Sequence, residues 1–384
     1  MAKISPAHAA TSMQMKTCEF TEDMIDAVVQ FNARIRAGGG RLAFPASHIP
    51  QWFPPLPGRR MFQQFFLVVD AEAAVRGAYI LKHRDFSVRG EVMSLADFQL
   101  PISEGSVDRK YTTVGVRLLW DAMHKHPLLY ALGMGGHDLA LPRLLQAAGW
   151  KLCAVPFYFR VVRPFPFLRN ITYLRNSLLA RGLLDGLAYS GLGWLAIRAL
   201  YAACYRGIPP APRFTMELVD EFQDWTDELW NAQRAQYGLC GVRDRTSLQM
   251  LYPRDARKFI RLQVHEGARP VGWAVLLNTP LSGHKQFGDM RLGSIVDGFS
   301  APADAVHVVR CARAFLEEQG VDLVVSNQSH WAWSGALRRS GFMCGPSNFV
   351  FASSATLTRL LAARGIGVAD IHVNRGDGDG PIHL

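Results

Sequence analysis

Four stretches carry residue types that could act together chemically. Lys110-Tyr111-Thr112-Thr113-Val114-Gly115 stands where a strand-like run, Met93 to Leu100, passes through a polar loop into a helical pattern from about Thr113 to His124. A strand feeding a helix N-terminus leaves backbone N–H groups unpaired and pointing outward, so the junction is a candidate nucleotide or coenzyme site for a phosphate or pyrophosphate. The hydroxyls of Thr112 and Thr113 and the charge of Lys110 would help. Asp97, in Leu95-Ala96-Asp97-Phe98, and Asp297, in Ile295-Val296-Asp297-Gly298, are the second and third. A carboxylate in an apolar strand is a candidate general base because burial disfavours its charged form; it is equally a common cap for backbone N–H groups at a strand end. The fourth is Ser326-Asn327-Gln328-Ser329-His330. His137, after Gly133-Met134-Gly135-Gly136, and Glu104 are weaker candidates for proton transfer, a lone histidine being more often surface or core.

The elements that must position these residues can be read from periodicity. Val114, Leu118, Leu119 and Met123 fall at helical spacing, and Leu128 to Leu132 is a short apolar run ended by glycines, followed by a helix that closes at Gly149-Trp150. The chain then says the same thing again. A helical pattern from Thr21 through Phe31 and strand-like runs Phe65 to Val69 and Val75 to Leu81 precede the first set. A second helical pattern opens at Arg213-Phe214-Thr215, followed by strands Phe259 to Val264, Pro270 to Leu277 and Gly293 to Phe299. A helix from about Ala303 to Gln319, a strand Val321 to Val325 and a helix ending at Ser340-Gly341-Phe342 complete it. Each Gly-aromatic pair is followed by a β-rich run, Leu152 to Val162 and Ser347 to Ala352. A period of about 190 residues is far beyond solenoid repeats and implies two similar domains.

This order, with its Ala-Gly-Trp ending, resembles the coenzyme-A half of the GNAT superfamily of N-acetyltransferases. In that family the loop into the helix reads Arg or Gln, two residues, Gly, one residue, then Gly or Ala; here Lys110 replaces Arg, Thr113 the first Gly, and Gly115 is kept. The tandem arrangement also resembles FemAB-type transferases of bacterial envelope and polysaccharide pathways. The resemblance implies an α/β chain of two GNAT-like domains, each a central mixed twisted sheet flanked by helices. These span residues 17–165 and 213–356, with a basic apolar linker at 166–212 and a flexible tail at 363–384. It implies that Lys110, Thr112, Thr113, Val114 and Gly115 hold acetyl-coenzyme A or another acyl-coenzyme A as co-substrate, and that Asn327 hydrogen-bonds the acyl-donor arm. Asp97, Asp297 and His137 are then the candidate catalytic groups, with no metal. The family's usual tyrosine acid is replaced by Leu145 in the first copy and Leu337 in the second. The loop Phe299 to Ala305 holds no glycine or basic residue, and Asp304 would repel a pyrophosphate while capping the helix.

The implied function is transfer of an acyl, such as acetyl, group to an amine on an amino sugar or an envelope or exopolysaccharide precursor. The alternatives are a non-catalytic GNAT-fold binding or assembly protein and a FemAB-like aminoacyl-tRNA-dependent transferase. Composition narrows these. With 384 residues, 49% hydrophobic and 19% charged, the chain has globular values and length for two or three domains. Six widely spaced cysteines argue against a metal site or disulfide framework and for reduced thiols in the cytoplasm. The net charge of +10 is spread as single arginines without a nucleic-acid-binding signature, which fits a basic rim for an anionic co-substrate better than a nucleic-acid groove.

Three segments stand apart. Met1 to Lys16 reads as a frayed terminus without a signal-peptide core. In the Pro-rich stretch Phe44 to Gly58, the residues Phe44, His48, Trp52 and Phe53 either shape an apolar or sugar-stacking acceptor pocket or pack the loop onto the core. Between the copies, Arg163 to Pro212 includes an apolar run from Gly182 to Cys204 interrupted by Asp185 and Arg198. It reads as a helix in a membrane interface, giving peripheral contact at the inner membrane through 182–204, as a helix between the domains, or as a span. Pro209, Pro210 and Pro212 read as a stiff linker.

Overall fold

The computed structural model describes residues 15–204 and 214–378, so the expected linker prolines and the N-terminal segment before Met15 lie outside the described residues. The first copy runs β1 (Lys16–Glu19), α1 (Ile25–Ala37), β2 (Phe62–Val69), β3 (Val75–Val88), β4 (Glu91–Ser103), α2 (Val114–Lys125), β5 (Leu129–Leu132), α3 (Ala140–Ala147), β6 (Lys151–Ala154) and β7 (Phe157–Val161). Three helices follow, α4 (Pro164–Asn170), α5 (Leu178–Tyr189) and α6 (Leu192–Cys204). The second copy runs β8 (Phe214–Leu218), α7 (Trp225–Gln233), β9 (Leu239–Gly241), α8 (Arg245–Leu251), β10 (Ile260–Glu266), β11 (Arg269–Pro280), β12 (Arg291–Ser300) and α9 (Ala305–Glu318). It ends with β13 (Leu323–Asn327), α10 (Trp331–Arg339), β14 (Met343–Gly345), β15 (Val350–Ser353), α11 (Ala355–Ala363) and β16 (Ile371–His372).

The repeat is therefore real, and it extends to the opening strand. Phe214–Leu218, expected to begin a helix, is a strand that pairs antiparallel with β10, as β1 pairs with β2. Both copies use a glycine to bring a helix close to its sheet, α2 in the first and α9 in the second. A Cβ on Gly77 would stand 2.6 Å from Val114 Cγ1, and one on Gly272 2.5 Å from Val308 Cγ2. Valine is stiff at χ1, so neither site has room for a side chain.

The described residues form two compact units, one of residues up to Arg84 with Leu95–Tyr130, the other of Asp85–Ser94 with residues from Ala131 onward. In the first, β1-β2-β3-β4-β5 lie in that order, and α1 covers an apolar core of Val28, Phe31 and Ile35 against Phe65, Leu67 and Ile80. In the second, a seven-stranded sheet has the order β14-β7-β13-β12-β11-β10-β8. The expected domain boundary at 165 does not hold, because the closing strands are exchanged. β7 pairs antiparallel with β13, Leu323 opposite Val161, while β15 pairs with β6, Val350 opposite Ala154. A short β-rich run specifies a strand but not its partner; tertiary packing chooses that.

Two further expectations are corrected. Residues 363–378 are not a loose tail: Val373, Asn374 and Asp377 are completely buried. Residues 379–384 lie outside the described residues. The apolar run 182–204 is not one helix, since Gly191, at φ +73°, turns the chain between α5 and α6. No helix among the described residues is long and apolar enough to cross a membrane.

Candidate functional site

In the first unit, β4 and β5 are paired in parallel only at Ala96 with Leu129 and Asp97 with Tyr130. Asp97 thus sits on the last rung, 1% exposed, with Gln99 Nε2 donating to its Oδ2 at 2.9 Å. Gln63 Nε2 in turn donates to Gln99 Oε1 at 3.2 Å. Gln99 falls two residues beyond Asp97, so period-two alternation puts both on one face of the strand. That spacing was the signal available in the sequence for Gln99; nothing local pointed to Gln63. Beyond it, still within β4, Leu100 adopts φ +46°, a left-handed conformation uncommon for leucine.

The loop from β4 to α2 is anchored, not free. Glu104 is buried and receives Arg34 Nε at 2.8 Å and Arg76 Nη1 at 3.2 Å. Two guanidiniums on one carboxylate make Glu104 an anchor of this loop. Arg76 also bonds Asp70 at 2.7 Å and lies over the Tyr111 ring at 4.4 Å. Burial pushes the Asp70 carboxyl up, but the Arg76 hydrogen bond and the N–H groups of Ala74 and Glu72 bring it below its ordinary value. Arg109, Lys110 and Tyr111 form a tight turn whose N-cap Asp108 accepts from Lys110 N–H at 2.9 Å.

On this platform Lys110, Thr112 and Thr113 are exposed, Gly115 is half-buried and Val114 is buried in the core. Thr112 Oγ1 donates to Arg109 O at 2.6 Å. Thr113 makes no side-chain cap, and the first turn of α2 holds no acid. The N-terminal end of the α2 dipole is therefore open and flanked by Arg109 and Lys110. The structure thus brings Lys110, Thr112, Thr113 and Gly115 to one helix end, while Val114 contributes packing and a backbone N–H.

The second copy has the same strand arrangement but a filled cleft. β12 and β13 pair in parallel from Leu292 to Ile295, opposite Leu323 to Ser326, and the ladder then stops. The chain's own segment 371–378 lies there. Gln328 bridges Asn374, Ser329 N–H donates to Val373 O at 3.1 Å, and Val373 N–H donates to Ser329 Oγ at 2.8 Å. Arg375 Nε donates to Asn327 Oδ1 at 3.0 Å. Asn327, expected to bind an acyl-donor arm, instead holds this segment.

Asp297 is likewise corrected as a candidate base. Its Oδ1 accepts from Arg243 Nε at 3.0 Å, Asn374 Nδ2 at 2.7 Å and Gly298 N–H at 2.8 Å, and its Oδ2 accepts from Tyr252 at 2.9 Å. Arg243, itself wholly buried, also bonds Asp377 at 2.9 Å. Burial pushes this guanidinium down, but Asp297 and Asp377 together hold it well above its ordinary value. This is a buried structural network in which both carboxylate oxygens are already engaged by the chain's own donors. Asp304 does precede α9, as expected, but its side chain makes no cap.

The histidines divide by burial. His137 is exposed in the turn between β5 and α3, a turn that needs its glycines: Gly133, Gly135 and Gly136 have φ of +85°, +82° and +124°. His330 accepts from Ala332 N–H at 3.3 Å and so caps α10, a structural role. Burial pushes His330 and, in the first unit, His83 down to about 4, and His372 well below its ordinary value. The unfolded chain takes up protons on His330 and His83 near pH 6.5, whereas the folded chain does so only at about 4. Stability is therefore expected to be full above about pH 6.5 and to fall as pH drops toward 4, by about 1.4 kcal/mol per pH unit for each such histidine. Thermal unfolding across this window tests it, and a midpoint that holds steady down to pH 4 would contradict the burial argument.

Leu145 and Leu337, standing at the family's tyrosine positions, are fully buried in the helix cores. In the Pro-rich loop Phe44 and Phe53 are buried and pack, whereas Trp52 and His48 are exposed. Asn32 pins this loop by donating to Phe44 O at 2.8 Å and accepting from Phe44 N–H at 2.9 Å.

No protein-family model matches the chain, and no curated protein does. Solved structures do. A GCN5-related glucosamine N-acetyltransferase region of a fungal multi-domain GH3 β-N-acetylglucosaminidase superposes with a TM-score of 0.52 at 14% identity, over 90% of this chain and 39% of that one. The match thus spans less than two thirds of that relative. A GCN5-related N-acetyltransferase from Anabaena variabilis gives a TM-score of 0.51 at 11% identity, over 88% of this chain and 72% of that one. A tandem GNAT protein from the clavulanic acid biosynthesis pathway aligns over 89% of this chain and 99% of that one, at 15% identity and a TM-score of only 0.44. The fold is that of GNAT-type N-acetyltransferases, with the element order present twice.

Proposed function

We propose that this chain, whose fold is that of GNAT-type N-acetyltransferases, is an N-acyltransferase that uses acyl-coenzyme A in its first copy. The observation that carries the reading is the contrast between the copies. The α2 N-terminus is uncapped, free of acid and flanked by Arg109 and Lys110, while the matching cleft of the second copy is filled by residues 371–378. Lys110, the Thr113 hydroxyl and the first N–H groups of α2, from Val114 to Gly115, would hold the pyrophosphate. When bound, acyl-coenzyme A supplies an activated thioester.

In this reading Asp97 takes the proton of the incoming amine as the new C–N bond forms, and the C–S bond breaks with its electron pair leaving on sulfur, so that coenzyme A departs as the thiolate and is protonated from solvent. Gln99, donating to Asp97 Oδ2, orients the carboxylate, and Gln63 orients Gln99. An amine is already nucleophilic once neutral, so positioning and one base suffice. For the acceptor we propose an amine on an amino sugar or an envelope or exopolysaccharide precursor; the exposed Trp52 and His48 offer a face on which a sugar ring could stack.

Calorimetry with acetyl-coenzyme A tests the site. The wild-type chain is expected to bind, and a Lys110→Glu, Gly115→Glu variant to lose about tenfold or more, since two carboxylates then oppose the helix end. Equal binding by the variant would move the site elsewhere. No binding by a folded wild-type chain would favour a non-catalytic binding or assembly protein.

A further inference from the structure

The helical hairpin α5–α6 has its outer faces inverted. Leu184, Leu187, Ala188 and Ile197 seat it on the second sheet at Leu323 and Val325, and the Tyr201 hydroxyl accepts from Val161 N–H at 2.8 Å. A surface helix normally turns polar residues outward from such a seat. Here the outward positions are Leu178 and Leu179, 83% and 88% exposed, with Leu183, Leu192 and Leu195 also exposed. An exposed patch of contiguous large apolar side chains marks an interaction surface.

Its charge identifies the partner. From Arg163 to Cys204 there are five arginines and one acid, Asp185. That acid is already bonded by Arg169 and Arg175, each at 2.6 Å. Arg181 and Arg198 are exposed, and Arg198 lies 4.7 Å over the Trp194 ring, as Arg169 lies 5.0 Å over Tyr189. Exposed leucines together with exposed aromatic rings that carry stacked guanidiniums suit a boundary of hydrocarbon, headgroup and phosphate. A second copy of the chain would instead set arginine against arginine.

We propose that α5 and α6 dock the protein on an anionic membrane surface, lying in the interface with Leu178, Leu179, Leu183 and Leu195 in the acyl boundary and Arg181 and Arg198 at the phosphates. The hairpin does not span, being two short helices joined by a turn at Gly191. The proposal concerns a surface remote in sequence from Asp97 and Lys110 and stands whether or not acyl transfer does.

The test is co-sedimentation of the full chain with vesicles of phosphatidylcholine alone or mixed with phosphatidylglycerol. Wild-type protein is expected to bind the anionic vesicles and to be released by high salt. Arg181→Glu should weaken binding about fivefold or more, from the loss of one basic contact at a charged surface. Leu179→Glu with Leu183→Glu should abolish it; both leucines are exposed, so the variant keeps its fold, checked by an unchanged unfolding midpoint. A folded wild-type chain that ignores anionic vesicles, or variants that bind as well as wild type, overturns the proposal. So does a dimer in solution that the leucine variant dissolves while vesicles bind nothing, which would make this face a contact between copies.

Discussion

Replacing Arg243 with methionine is expected to destabilise the fold by about 3–5 kcal/mol, the cost of stripping one partner from a buried ion pair. Asp297 and Asp377 are both fully buried, and Arg243 is the cation that faces each of them, at 3.0 and 2.9 Å. Removing it leaves two buried carboxylates without the cation they share. Arg243→Lys should recover only part of the loss, because an ammonium cannot reproduce the fork that also reaches Gly241 O at 2.8 Å. Urea denaturation of the two variants measures this. A change within about 0.5 kcal/mol, the size of an ordinary surface substitution, would show that the network is not what holds segment 371–378 in place.

The second large effect concerns chemistry. If the first copy transfers acyl groups with Asp97 as base, Asp97→Asn should lower kcat by about 10²–10⁴-fold, the usual worth of a positioned general base. Asparagine has the same shape and can still accept from Gln99, so coenzyme binding and unfolding midpoint should stay close to wild type. Raising the pH, which neutralises the amine in solution, should restore part of the rate in the variant. Steady-state kinetics with an amine acceptor decide it. Turnover that survives the substitution would leave Asp97 as a buried carboxylate with a structural role, and loss of coenzyme binding together with rate would mark a folding defect.

Much of the frame could be read directly from the residues. The apolar face of α2 at Val114, Leu118 and Leu119 is buried as its spacing demands, and Asp97 lies in a strand at the mouth of a parallel pair. The doubling of the element order was visible because periodicity is a local property, repeated wherever the local pattern repeats. Lys110, Thr112 and Thr113 fall at a helix start for the same reason. What failed was the pairing of Asp97 and Asp297 as like candidates: they occupy equivalent strands, yet one has a glutamine beside it and the other an arginine.

The sequence by itself determined the α/β class, the tandem order and the candidate coenzyme loop, since strands, helices and turns are set by neighbours a few residues apart. Only the tertiary structure decided which strands were exchanged, that Glu104 is clamped by an arginine 70 residues away, and that Arg243 finds Asp377 across 134 residues. It also decided that residues 371–378, part of what reads as a loose tail, are largely buried. Such a stretch has no periodic apolar signal in either case, and its fate depends on whether distant donors, here Arg243 and Ser329, satisfy its polar groups better than water does.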